Sequence, residues 1–304
     1  MGHLVAIVGP TAVGKSKLAL ELAADFGAEI VNADSRQVYR YMDIGTNKPT
    51  REEQRLVPHH LIDVVNPDDD FTLAGYLQGA YRAIADIQQR GKLPLLVGGS
   101  GLYVWSLLEG WIIPGVPPDR KLRQELEATA EELGGDILYQ RLCEIDPAGA
   151  AKIDPRNIRR LIRALEIYQS SGQLPSAVRR KRAPDFSTLI IGLTIERSKL
   201  YGRIDSRVDR MMEEGLVKEV TGLMQRGYSL SLPSMSGIGY KQVGDFLSGR
   251  MSLSGVVEKI KYETHRLARR QCAWFRPEDA RIRWLDATLS QSKAAKDLIT
   301  SFLP

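Results

Sequence analysis

LVAIVGPTAVGKSKLALELAADFG, residues 4–27, is the stretch that decides the fold. Leu4 to Val8 is an apolar run of strand length, followed at once by a glycine-containing turn. Leu18, Leu22 and Phe26 then recur at four-residue spacing until Gly27 stops the pattern. The order is strand, loop, helix. Within the loop, Gly9, Pro10, Thr11, Ala12, Val13, Gly14, Lys15 and Ser16 fit G-x-x-x-x-G-K-[ST] at every fixed position. Glycines let the backbone turn tightly and aim several N–H groups at one point. The helix start adds its positive dipole end, Lys15 a full charge, and Ser16 a hydroxyl able to ligate Mg²⁺. Such a nest binds a diphosphate, whether in a nucleotide such as ATP or in another ester. It specifies phosphate but not chemistry: hydrolysis, kinase transfer and loss of diphosphate from an organic ester all stay open.

Working outward, EIVNADS (29–35), PLLVGG (94–99) and LIIGLTI (189–195) read as further buried strands, and RIRWLD (281–286) as an edge strand. Residues 72–90 predict a helix with Leu73, Leu77, Ala80 and Ile84 on one face. Near-continuous apolar strands alternating with helices predict an α/β fold, a P-loop NTPase-like parallel sheet covered on both faces. Functional groups then collect beyond the carboxyl ends of the strands, where GPTAVGKS, DSRQ and GGSG all fall. From Pro114 the texture changes to helical patterns without a strand-like run. The reading is an all-helical insertion at 114–186 in a catalytic core made of 1–113 and 187–304. His59 and His60 read as turn residues, and Asp68 to Asp70 as a solvated loop or a helix cap.

Composition excludes several classes. No apolar run reaches the roughly 18 residues of a membrane span. The amino terminus has no basic leader or cleavage pattern, and Ala6 stands where acylation of Gly2 would need Ser or Thr. A cytoplasmic protein is expected. Cys143 and Cys272 are far apart, and with four histidines there is no zinc pattern, so two free thiols are expected. No apolar heptad seam demands a partner, which predicts a monomer. Residues 1–118 hold ten Lys/Arg against thirteen Asp/Glu, whereas 152–185 hold nine against three. The basic insertion suits an anionic macromolecule, although charge runs are more often just solvated faces. The strand PLLVGG ends without the carboxylate that many nucleoside triphosphatases use to help hold Mg²⁺, and no guanine-reading N-K-x-D is present. The strand-end carboxylate is instead Asp34, one strand away.

At this point the chain resembles the tRNA dimethylallyltransferases. The resemblance rests on GPTAVGKS, DSRQVYR (34–40), MDIGTNKP (42–49), PHHLID (58–63) and LLVGGSGLY (95–103). NIRRLIRALEIY (157–168), RIDSRVDRMMEEGLVKEV (203–220), SGIGYKQ (236–242) and THRLARRQCAWFR (264–276) extend it over nearly the whole chain. It implies transfer of a dimethylallyl group from dimethylallyl diphosphate to the exocyclic N6 amine of the adenosine 3′ to the anticodon of a tRNA. It also implies Mg²⁺, and a channel that donor and RNA enter from opposite ends.

Roles follow from the resemblance position by position. Asp34 matches the general base, with a helix N-cap or Mg²⁺ ligand as the plainer alternatives. Ser100 stands where Thr is usual and joins Asp34 and Arg207 as a catalytic candidate. Thr11 to Ser16 match the diphosphate site, on which Arg207 closes. Asp34, Ser35, Arg36, Gln37, Ser100, Arg123, Arg159, Arg160 and Arg163 match tRNA-contacting positions. For Arg207 and the Arg159–Arg163 stretch the plain alternative is a solvated helix face. His265 stands where Arg is common, which implies one weaker phosphate contact. The alternatives to tRNA prenylation are an adenylate isopentenyltransferase acting on free nucleotide, a small-molecule kinase, and a non-catalytic RNA-binding ATP switch.

Overall fold

A computed structural model of the chain describes residues 2–178, 180–289 and 291–304. The chain divides into two compact units, Met1–Leu108 with Pro184–Pro304, and Glu109–Ala183.

The first unit is built on a six-stranded sheet. β1 (Gly2–Val8) runs through the turn into α1 (Lys15–Phe26), and β2 (Glu29–Asn32) follows. Then come α2 (Arg51–Leu56), β3 (His59–His60), α3 (Leu73–Gln89), β4 (Pro94–Gly98) and α4 (Gly101–Leu108). After the second unit the chain returns as β7 (Phe186–Thr194), α9 (Arg197–Glu213), α10 (Leu216–Gln225), a 3₁₀ turn at Ser234–Ser236 and α11 (Tyr240–Leu247). It ends with α12 (Leu253–Trp274), β8 (Ile282–Asp286) and α13 (Gln291–Phe302). The spatial order is β3-β2-β4-β1-β7-β8, and every pairing is parallel. The expected strands are all present, and 281–286 supplies the edge strand β8. Leu4, Val5, Ala6, Ile7 and Val8 are fully buried. Burial on both faces explains why β1 reads as a continuous apolar run rather than an alternating one. Each buried Leu, Val or Ile side chain of this run stabilises the sheet by about 1.5–3 kcal/mol through removal from water.

His59 and His60 form the edge strand β3 rather than a turn. The buried carboxylate of Glu29 on β2, 2% exposed, lies 2.8 Å from His60 Nε2 and also accepts from Arg90 and Lys92. That ion-paired knot anchors the edge where few apolar side chains are available. Asp68 to Asp70 are exposed. Thr72, not an aspartate, caps α3 by accepting from Gly75 N.

In the second unit, α5 (Arg120–Leu133), α6 (Asp136–Ile145), α7 (Pro147–Ala150) and α8 (Ile158–Ser171) pack around Leu126, Leu138, Leu142, Leu161 and Leu165. The unit begins at residue 109, earlier than the texture change at 114. β5 (Trp111–Ile112) pairs antiparallel with β6 (Arg180–Lys181), so a two-stranded ribbon joins its ends. Two-residue strands are too short to leave an alternating pattern. Among the described residues, no helix is long and apolar enough to cross a membrane, and Cys143 and Cys272 are free.

Candidate active site

The loop after β1 opens onto a cavity of about 910 Å³ within the first unit. Gly14 caps α1 at φ 112°, a left-handed conformation open mainly to glycine. No side chain caps this helix and its first turn carries no acid, so its N–H groups and positive dipole end stay directed at the cavity, lined there by Gly14, Lys15 and Ser16. By contrast α2, α3 and α12 begin with a capping Thr or Ser. Thr11 and Ala12 also line the cavity. Val13 is buried in the core, and Gly9 and Pro10 are buried behind the wall.

Lys15 Nζ donates to Pro10 O at 2.7 Å. Burial lowers its pKa to about 8, a shift that Asp34 opposes and the like charge of Arg207 deepens. Arg207, from α9, donates to Thr11 Oγ1 at 3.1 Å. Burial lowers its pKa to about 10, again opposed by Asp34. Arg203, one turn earlier, donates to Val13 O at 3.1 Å. The cradle is therefore braced from α9, and Arg207 is no surface arginine.

The acceptor side forms where β2 and β4 end. Gly98 can carry no side chain, because a Cβ there would lie 2.2 Å from Ala33 O. This close approach lets Ser100 N donate to Ala33 O and brings Ser100 Oγ to 3.0 Å from Ser35 N, whose hydrogen bond it accepts. Asp34 is held by its own backbone: its N–H donates to Asn32 Oδ1, and Asn32 Nδ2 donates to Asp34 O, each at 3.0 Å. Asp34 Oδ1 accepts from Arg36 N at 2.9 Å. No helix follows it, so the N-cap alternative falls: Asp34 closes a local turn instead. Gln37 commits its amide hydrogens to Thr46 O and Asn47 O, and Arg36 donates to Pro233 O and Ser234 O.

The structure thus brings Thr11 to Ser16 (except Val13), Asp34 to Gln37, Ser100 and Arg207 to one cavity. Asp34 is the only acid among the described lining residues, against Lys15, Lys17, Arg36, Arg203, Arg207, Arg210 and Arg270. Between them run apolar stretches such as Met211, Ile238, Ile260 and Leu267.

The other expected contacts lie in the second unit. Arg159 and Arg160 are exposed on α8. Arg123 and Arg163 donate to the carboxylate of Glu166, which is 0% exposed and also accepts from Asp119 N. Burial pushes the Glu166 pKa up, but these bonds more than reverse it and hold it at about 2. His265 is not among the residues lining the cavity: it stacks on Tyr201 at 4.0 Å and lies 2.9 Å from Asp205 on α9.

Sequence reasoning missed several groups that shape the cavity. Gln271 from α12 accepts from Thr11 N at 2.8 Å and donates to Gly99 O at 3.1 Å. Lys48, almost fully buried, joins Tyr39 O to Asp43 and Asp63. Glu219 of α10 accepts from three successive amides, Asp43, Ile44 and Gly45. The one signal for Asn32 was a polar residue closing the buried strand EIVN. Gln271 and Glu219 lie far along the chain from the groups they hold, Lys48 only five to fifteen residues from its partners, and no local pattern marks any of the three.

The family model for IPP transferase matches residues 37–278, and a model for isopentenyl transferase matches residues 2–63. The chain belongs to the IPP transferase family. Among relatives of this IPP transferase, the tRNA dimethylallyltransferase of Roseiflexus castenholzii is 56% identical over 90% of this chain and 89% of its own. That of Dehalococcoides mccartyi is 45% identical over 100% and 93%. The tRNA isopentenylpyrophosphate transferase of Bacillus halodurans aligns with TM-score 0.73 at 41% identity, over 99% of this chain and 96% of the other. A eukaryotic dimethylallyltransferase acting on tRNA aligns with TM-score 0.84 at 30% identity, over 99% and 80%.

Proposed function

We propose that this IPP transferase moves a dimethylallyl group from dimethylallyl diphosphate to N6 of the adenosine 3′ to the anticodon in tRNA, releasing diphosphate. The observation that carries the reading is a single acid, Asp34, facing a cluster of cations across one cavity with apolar stretches in its wall. The cations and the uncapped start of α1 receive the diphosphate, and the apolar stretches receive the prenyl chain. The adenine amine attacks C1 of the allyl group as the C1–O bond breaks. The electron pair leaves on diphosphate, where Lys15 and Arg207 stabilise it. Asp34 takes the proton that the nitrogen loses. Ser100 fixes the acceptor loop through Ser35, so that nitrogen, carbon and leaving oxygen stay in line.

Ser16 and Asp34 are oxygen donors lining the same cavity, and no cluster of three His, Cys, Asp or Glu exists among the described residues. Such a sparse set fits Mg²⁺, which is held by one or two protein oxygens together with substrate phosphates. When bound it would neutralise charge on the leaving diphosphate.

The names of the relatives favour tRNA over free adenylate as acceptor. The exposed Arg159 and Arg160 offer the second unit as the RNA-binding domain. Incubation with Mg²⁺, dimethylallyl diphosphate, ATP and either tRNA or AMP tests the reading. A prenyl mass gain on tRNA alone is expected; gain on AMP alone, or turnover of ATP with neither, refutes it.

A further inference from the structure

One side chain joins the two halves of the cavity. Gln271 is 8% exposed, and its two amide ends are both in use. Oε1 accepts from Thr11 N in the phosphate loop at 2.8 Å, and Nε2 donates to Gly99 O in the loop after β4 at 3.1 Å. The amide orientation is fixed by chemistry, since a backbone N–H can only donate and a carbonyl can only accept. The fit is close: a Cβ on Gly99 would lie 2.4 Å from Gln271 Nε2. From Gly99 the chain passes to Ser100, whose Oγ accepts from Ser35 N beside Asp34. Thr11 is gripped a second time, through its hydroxyl, by Arg207.

We infer that Gln271 is a positioning residue, a strap that sets the spacing between the phosphate cradle and the Asp34 turn. The inference rests on the reading under Proposed function. In-line displacement needs the leaving oxygen and the incoming nitrogen on opposite sides of one carbon. The cradle fixes the first and the Asp34–Ser100 turn the second. The two loops leave different strands, and Gln271 joins them by side-chain hydrogen bonds at both ends. Glutamate at this position would still accept from Thr11 N, but an ionised carboxylate cannot donate to Gly99 O. Methionine fills the same space and makes neither bond.

The test compares wild type, Gln271→Glu and Gln271→Met by steady-state kinetics and by amide hydrogen exchange on the substrate-free proteins. In Gln271→Met, kcat is expected to fall about ten- to a hundredfold, with KM for tRNA within about twofold of wild type. Exchange should accelerate about tenfold in peptides containing Thr11 and Ser35, while β1, β7 and the body of α12 stay protected. In Gln271→Glu the Thr11 amide should keep its protection and Ser35 should lose it. The strap is overturned by a kcat within threefold of wild type in Gln271→Met, or by exchange that rises evenly across the sheet and α12. It is equally overturned by acceleration at Thr11 rather than Ser35 in Gln271→Glu. If wild-type protein transfers no prenyl group to tRNA, the functional reading fails, and the exchange pattern still decides for or against the strap.

Discussion

Raising the pH from 7 to 9 should loosen the grip on the prenyl donor by about a factor of ten, and the cause is one ammonium group. Lys15 sits where burial costs its charged form most, and neighbouring Arg207 adds like-charge repulsion; Asp34, and more weakly Cys272, work the other way. Its pKa in the empty protein is about 8. The diphosphate binds the protonated form, so affinity is flat below pH 8 and falls toward one decade per pH unit above it. At pH 9 about one molecule in eleven still carries the proton, which sets the expected tenfold rise in Kd. Arg207 titrates only near pH 10 and contributes little in this window. Calorimetric titration of dimethylallyl diphosphate into tRNA-free protein at pH 7, 8 and 9 reads the effect. The control is Lys15→Arg, whose guanidinium stays charged throughout. Protonation of the ligand is common to both proteins and cancels in the ratio of their Kd values. If wild-type Kd changes by less than twofold between pH 7 and 9, or if Lys15→Arg shows the same rise, the electrostatic account is wrong.

Other outcomes follow from the same geometry. Asp34→Asn should lower kcat at least about a hundredfold while tRNA binding, read by filter retention, stays within a few-fold of wild type. Replacing exposed Arg159 and Arg160 by Ala should weaken tRNA binding and flatten the log Kd against log salt plot by about 0.7–0.9 per lost phosphate contact; an unchanged slope removes the assignment. Glu166→Ala leaves the guanidinium groups of Arg123 and Arg163 without their shared carboxylate and, since both are about a third exposed and can turn to water, should destabilise the fold by about 1–3 kcal/mol, measured by urea denaturation. Because the folded-state pKa of Glu166 lies below its ordinary value, its contribution is complete above about pH 4.5 and disappears as pH falls toward 2. Loss of that acid-dependent component in Glu166→Gln checks the sign.

Sequence alone carried the parts of this protein that are written locally. The strand–loop–helix at residues 4–27, the buried strands and the phosphate motif are each complete within about two dozen residues. Backbone turn chemistry, helix polarity and apolar periodicity act over that range, so they leave a readable pattern. Asp34 was visible for the same reason, as a carboxylate at the end of an apolar run. The nature of Arg207 was not. In sequence it is one charge on a helix rich in charges; in space it lies 3.1 Å from a hydroxyl 196 residues away. Arg123 and Arg163 look like free cations until Glu166 is placed between them.

Tertiary structure decided the assembly of one cavity from the ends of β1, β2 and β4 and from α9 and α12, and with it the pairing of each polar group. Gln271 shows why. A buried amide must satisfy its donor and its acceptor, but nothing adjacent in the chain announces which partners it will meet. Hydrogen-bond partners separated by 260 residues are fixed by packing, and packing is a property of the folded whole.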